Sequence, residues 1–303
     1  MTTPAIASDS DIPEFLEYTG RSVLANRWLN IWSIGTPLFG AVAALASLPF
    51  LGITQSTLWM FLGLFLLNGF GVCIGLHRFF THHAFETSKI FSYVLAILGT
   101  ASFQGPINRW VADHRRHHRY SDQPWDLHSP YWRADRALPM IEGLWHAHLG
   151  WMLLGHISSL KRYAPEIGPA TVGGWASRHY FSICLLGLVL PALIGLALGG
   201  PEESVRCFLW AGCFRVSALH QATWCVNSVC HRFGKRLDGA KDESRDNLLF
   251  TYLILGEGLH STHHRYPTAG VKGPAWKDWS GAVLLVLERL GVVWSLRRAP
   301  VTP

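Results

Sequence analysis

Nine histidines fall in four places along the 303-residue chain: His77 and His82; His114, His117 and His118; His231; and His260, His263 and His264. Neutral imidazole is a common ligand of transition metals, and a first-row ion takes up to about six ligands. His114, His117 and His118 stand at i, i+3 and i+4, which on a helix of about 3.6 residues per turn places all three in one sector. His260, His263 and His264 repeat that spacing. His77 and His82 are five apart, a rotation of about 140° on the same helix, so one of them is expected where a helix ends or bends. Two triplets, a pair and a single exceed the needs of one ion and favour two, with positions left open for chemistry.

Each group lies just beyond an apolar stretch, and those stretches must position it. Only 15% of the residues are charged, there are 14 tryptophans and the mean hydropathy is +0.19. Ordinary soluble domains carry roughly a quarter charged residues. From Trp28 to Leu76 there is no Asp, Glu, Lys or Arg. At about 1.5 Å per residue that length crosses a hydrocarbon core of about 30 Å twice, with a turn expected in Pro49–Thr57. Phe181–Gly200 is a third such stretch, and Pro201, Glu202 and Glu203 separate it from a weaker one, Cys207–Ser228. The expected fold is an all-α integral membrane protein. Four transmembrane helices, at about 28–50, 56–76, 180–200 and 207–228, stand under a cytoplasmic helical cap (77–179 and 229–303) that holds a dimetal site. Residues 27–303 form one domain behind an N-terminal segment, 1–26, that lacks the pattern of a cleavable signal peptide.

Arg21 and Arg27 precede the first span, and most other Lys and Arg lie between Arg78 and Arg178 or after His231. The short connectors carry no basic residue apart from Arg206 at a span edge. The positive-inside rule then puts both termini and the cap in the cytoplasm, with every histidine group on that face. A membrane metal transporter or sensor would instead space ionisable groups along a path through the bilayer. The net charge of +6 reads as attraction to anionic inner-leaflet lipid rather than to nucleic acid. The six cysteines, at 73, 184, 207, 213, 225 and 230, form no C-x-x-C pair and read as core residues. No Walker loop, G-x-G-x-x-G turn or G-x-S-x-G elbow is present, so phosphate cradling and acyl-enzyme chemistry have no support.

Four runs, Gly75–His82, Gln104–Asp122, Thr223–His231 and Gly256–His264, resemble in content and order the membrane fatty acyl desaturases of the stearoyl-CoA desaturase type. The resemblance extends from about Arg27 to the C-terminus. It implies two iron ions held by the nine histidines, with Asn227 reaching one of them through water. It also implies dioxygen as co-substrate, a fatty acyl substrate carried on CoA, lipid or acyl carrier protein, and a double bond as product. A related hydroxylase or acetylenase would use the same metal set. All-histidine ligation leaves the metal charge without carboxylates among its ligands, so acids are expected behind the imidazoles, with Asp113, Asp122, Asp126 and Glu257 as candidates. Arg109, Trp110, Arg115, Arg116, Arg119 and Trp224 frame the expected cytoplasmic entrance. Gly75, with its neighbours back to Gly69, is either pocket floor or helix-packing glycine. His83 competes with His82 on adjacency, and the family spacing favours His82. Asp126-Leu127-His128 departs from the usual D-P-H, and His260–His264 lacks an Asn common in bacterial members. Neither change removes a ligand, and both bear on the substrate. With no flavin or nucleotide motif in the chain, electrons are expected from a separate ferredoxin or cytochrome with its reductase. The expected location is a bacterial inner membrane. Trp276–Arg298 is expected as a helix lying along the membrane or cap.

Overall fold

The computed structural model describes residues 20–300, so most of the expected N-terminal segment, residues 1–19, lies outside the described residues. Helix α1 (Gly20–Leu51) carries the first apolar stretch and continues past Pro49, which leaves a tighter turn than the expected Pro49–Thr57. Gly52, at φ 61°, reverses the chain, and the Thr54 hydroxyl accepts from the Thr57 N–H (3.2 Å) to start α2 (Gln55–Phe70). Beyond Phe70 the same rod continues as a π-helix, Gly71–Thr81.

Among the described residues, three helical runs are long and apolar enough to cross a membrane: Ser22–Leu51, Gln55–Thr81 and Tyr180–His231. The third has 52 residues. Straight, it would be about 78 Å long, more than twice a core of about 30 Å. It is not straight. Gly200 adopts φ 75° and ψ −164°, a conformation essentially reserved for glycine, and the chain folds back there. The Ser204 hydroxyl donates to the Ala192 carbonyl (2.8 Å), and side chains on Gly195 and Gly212 would meet Glu203 O (2.7 Å) and Leu188 O (3.1 Å). The run is therefore an antiparallel helical hairpin. Its bend is clamped to the α1–α2 turn, because one Glu203 oxygen accepts from Thr54 (2.6 Å), Ser56 (2.5 Å) and Thr57 (2.9 Å). Arg206 adds a bond to the Leu51 carbonyl (2.7 Å). Buried Arg215 in the hairpin is satisfied by Asn68, Ala211 O (2.7 Å) and Gly187 O (3.1 Å). An intramembrane charge facing polar partners in this way is the arrangement its cost demands.

The remaining elements hold the histidines. Helix α3 (Lys89–Thr100) is apolar but has 12 residues, about 18 Å, too short to cross. It packs on the π-helix, and α4 (Ile107–Tyr120) follows it. Among the described residues, two antiparallel two-residue strand pairs depart from the all-α expectation: Trp132–Arg133 with Arg136–Ala137, and Glu86–Thr87 with Val293–Trp294 in the register Glu86↔Trp294. The C-terminal helix is Trp279–Arg289 rather than the whole of Trp276–Arg298, since Gly291 at φ 70° ends it and a strand follows. Leu284 on this helix is completely buried and belongs to the same hydrophobic core as Leu76 and Ile254, so the helix's apolar face joins the core. All six cysteines are free and five are buried, as core residues should be.

Candidate metal centre

The pair His77 and His82 shows how local winding makes the site. In the π-helix Gly71–Thr81 the hydrogen bonds run i to i+5, and the His82 N–H donates to the His77 carbonyl (3.2 Å). Five residues are thus about one full turn, and the two rings lie 5.0 Å apart. His82 stands at the end of this helix, as the i, i+5 spacing leads one to expect, and the wider winding brings it round to the side of His77. His114, His117 and His118 share a face of α4, and His260, His263 and His264 share a face of the short helix His260–Arg265. A turn with Leu255 at φ 54° and Gly256 at φ 104° aims that short helix, and a side chain on Gly256 would strike Asp278 Oδ1 (2.6 Å). His231 ends a 3-10 turn, Val229–His231, that closes the hairpin.

The four segments meet, and their Nε2 atoms form two groups. In the first, His77 and His263 are 3.0 Å apart, His82 and His114 3.1 Å, His114 and His118 3.0 Å, and His118 and His263 2.8 Å. In the second, His117 and His264 are 3.3 Å apart, His264 and His260 3.1 Å, and His260 and His231 2.8 Å. Metal–nitrogen bonds of about 2.1 Å at right angles place neighbouring nitrogens about 3 Å apart, so these spacings fit two metal ions, one per group. Burial, then the neighbouring imidazoles, push His114, His117, His118 and His260 well below the usual histidine range, which keeps their lone pairs free.

Carboxylates stand behind four of the rings. Nδ1 of His77 meets Glu257 (2.8 Å), that of His117 meets Asp126 (2.9 Å), that of His231 meets Asp122 (2.8 Å) and that of His264 meets Asp242 (2.6 Å). Each bond fixes a tautomer and turns Nε2 toward its group. Burial pushes the Asp126 carboxyl up to about 6. At Asp122 burial acts the same way, but the His231 ring and its hydrogen bond prevail and bring the carboxyl down to about 2. Asp122, Asp126 and Glu257, expected behind the imidazoles, each accept from a histidine Nδ1. Asp113 does not: among the described residues it makes no hydrogen bond to a histidine, and it lies near Arg109, whose charge opposes the upward push of burial. Asp242 was missed because the run Asp242–Asp246 after His231 has no periodic link to a histidine. The buried cations Arg78 and Lys272 were missed as well. Arg78 binds Glu257 (2.9 Å) and Asp278 (2.8 Å), and Lys272 reaches Glu257 (2.6 Å).

A cavity opens against His77, His114, His117 and His260. It passes Trp110, Trp224 and Asn227 and reaches Asn30 and Ile34 of α1 and Val72 of α2's π-helical extension. Arg109 lines it too, and Trp110 stacks on His114 (centroids 4.9 Å, 18°). Arg115 does not line it: its guanidinium donates to Thr81 O (3.0 Å) and Tyr163 O (2.9 Å) and pairs with Glu166 (2.7 Å), holding the segment that carries His82. Gly75 does not line it either, since a side chain there would sit 2.9 Å from Leu95 O, a helix-packing contact. His83 is exposed at φ 49° beside Glu166 and stays outside both groups, whereas His128 lies against His117 (4.1 Å).

The fatty acid desaturase family matches residues 56–271, a stretch that includes all nine histidines. The chain belongs to that family. It is a fatty acyl desaturase, a membrane-associated oxidoreductase of lipid metabolism. This desaturase is 35% identical over 86% of its length to a hex-5-enoyl-[acyl-carrier protein] acetylenase of Moorena producens, covering 83% of that protein. It is 31% identical over 80% of its length to an sn-1 stearoyl-lipid 9-desaturase of Anabaena variabilis, covering 85% of it. A probable acyl-CoA desaturase of Schizosaccharomyces pombe is 29% identical over 90% of the chain, which spans about half (55%) of that longer protein.

Proposed function

We propose that the nine histidines hold two iron ions: His77, His82, His114, His118 and His263 on one, and His117, His231, His260 and His264 on the other, with Asn227 reaching the second through water. The observation that carries this reading is the pair of Nε2 groups at 2.8–3.3 Å, backed by four carboxylates. Irons bound there supply dioxygen activation strong enough to remove hydrogen from an unactivated methylene. The chain's own residues place that methylene. Val72 and Ile34 offer an apolar wall to an extended acyl chain, Trp110 and Trp224 narrow the space beside the histidines, and Arg109 offers charge to a phosphate-bearing carrier. Glu257, Asp122, Asp126 and Asp242 keep the imidazoles oriented when the site is empty, so little reorganisation accompanies loading.

The hairpin supports a reading with four spans in a single membrane domain, residues 27–303, and the positive-inside rule supports placing both termini and the histidine cap on the cytoplasmic side of a bacterial inner membrane. Dioxygen is the co-substrate. Electrons come from a separate ferredoxin or cytochrome, and the acyl group rides on acyl carrier protein, CoA or lipid, the three carriers in the relatives' names. The test is mass-spectrometric profiling of acyl chains in a host expressing the chain, beside His117→Ala. A product two hydrogens lighter, lost in the variant, supports the reading. The 35% identity to an acetylenase supports a second reading, triple-bond formation, which the same spectra identify as a further loss of two hydrogens from an enoyl chain; hydroxylation would add an oxygen.

A further inference from the structure

The histidine groups are reached from two sides. The acyl cavity touches His77, His114, His117 and His260. A separate surface cleft, sharing no residue with it, is lined by His82 and His118 together with His83, Arg115, Thr268 and Arg297. His82 and His118 are half-buried there, as His114 and His264 are elsewhere in the two groups, whereas His77, His117, His231, His260 and His263 are buried. The cleft opens at the C-terminal ends of the π-helix and α4, while the acyl cavity runs back toward the apolar rods. Its surroundings are basic. Arg119 lies one helical turn beyond Arg115, and Lys161 and Arg162 lie on the turn whose Tyr163 carbonyl accepts from Arg115. Arg119, Lys161, Arg162 and Arg297 are exposed, against one acid on the rim, Glu166, which is held by Arg115.

Resting on the two-iron reading above, we propose that this cleft is the docking surface of the electron donor, a small acidic redox protein that delivers electrons through the edge formed by His82 and His118. Separate openings let the acyl chain stay bound while a donor arrives, and a basic surface raises the encounter rate with an acidic carrier. His83, exposed between Glu166 and Arg115, contributes a rim contact rather than a ligand.

The test uses the full chain in neutral-lipid nanodiscs with two probes, a [2Fe–2S] ferredoxin and a soluble cytochrome b5 domain. Binding is measured at low and high salt, with iron content determined in parallel. The double variant Arg162→Glu, Arg297→Glu is expected to weaken donor binding at least tenfold and to slow donor-driven reduction. Iron content, and reduction by dithionite, stay at the wild-type level. Arg133→Glu, on the Trp132–Ala137 hairpin that lines neither opening, is expected to bind as wild type. The proposal is overturned if the double variant binds within twofold of wild type, if Arg133→Glu weakens binding equally, or if neither donor binds the wild-type chain at low salt. A chain that holds no iron yet still binds donor through these arginines would sink the two-iron reading and leave the docking surface standing.

Discussion

Asp242 and Asp113 are both acids near the histidines, yet they differ in one contact. Asp242 accepts from His264 Nδ1 (2.6 Å), and its carboxyl falls well below the usual range: burial pushes it up, but the hydrogen bond to His264 and that ring's charge outweigh burial. Removing such a partner typically costs about 10- to 100-fold in metal affinity or activity. Asp242→Asn should therefore lower iron retention by about that factor in a chelator competition, and Asp113→Asn should leave it unchanged. Equal losses in both variants would mean that proximity, not the Nδ1 bond, matters. Lys272 offers a second comparison. Its ammonium lies 2.6 Å from Glu257 with its side chain fully buried. Breaking a buried ion pair from one side costs about 3–5 kcal/mol, so Lys272→Met should lower unfolding stability by about 3 kcal/mol, discounted where Arg78 still compensates Glu257. A variant as stable as wild type would contradict this. The histidines were legible in the sequence because i, i+3, i+4 spacing forces a shared face. Asp242, Lys272 and Asp278 were not, because their partners lie 15 to 200 residues away and only the fold brings them together.

At the scale of elements, the π-helix decides the geometry of the first histidine group. His77 and His82 share a face because five residues complete a turn there, and Gly71 and Gly75 let α3 pack close enough to support that wide turn. A side chain at Gly75 would meet Leu95 O at 2.9 Å. Overpacking of this kind costs about 1–3 kcal/mol. Gly75→Val should therefore destabilise the chain by about that amount and lower iron occupancy of the His77–His82 group, although residue 75 touches neither the cavity nor a metal ligand. Retention of full iron and stability would show that the π-helix does not depend on this contact. The i, i+5 spacing places one histidine at a helix end, where His82 stands, but the wider winding of Gly71–Thr81 is not legible, since no residue there announces it. The apolar rods were legible from composition alone. Their ends were less so: α1 runs through Pro49, and Gly291 cuts the C-terminal helix short.

At the scale of the whole molecule, the hairpin bend at Gly200 and the α1–α2 turn are clamped together by Glu203, at the opposite ends of their rods from His77 and His231. The clamp explains why the histidine ends are held in register although they approach from separate rods. Single cysteines introduced in a background without the native ones test the topology. A cysteine at Glu202 should react with a membrane-impermeant thiol reagent from outside the cell, and one at Arg133 only after the membrane is opened. The reverse pattern would invert the assigned orientation.

The five-histidine and four-histidine groups should each hold one iron, and iron counting on purified protein measures this directly. Two irons per chain are expected in the wild type and about one in each of His82→Ala and His231→Ala, since each variant disrupts a different group. A wild-type chain that holds a single iron, or two variants that leave the count at two, would contradict it.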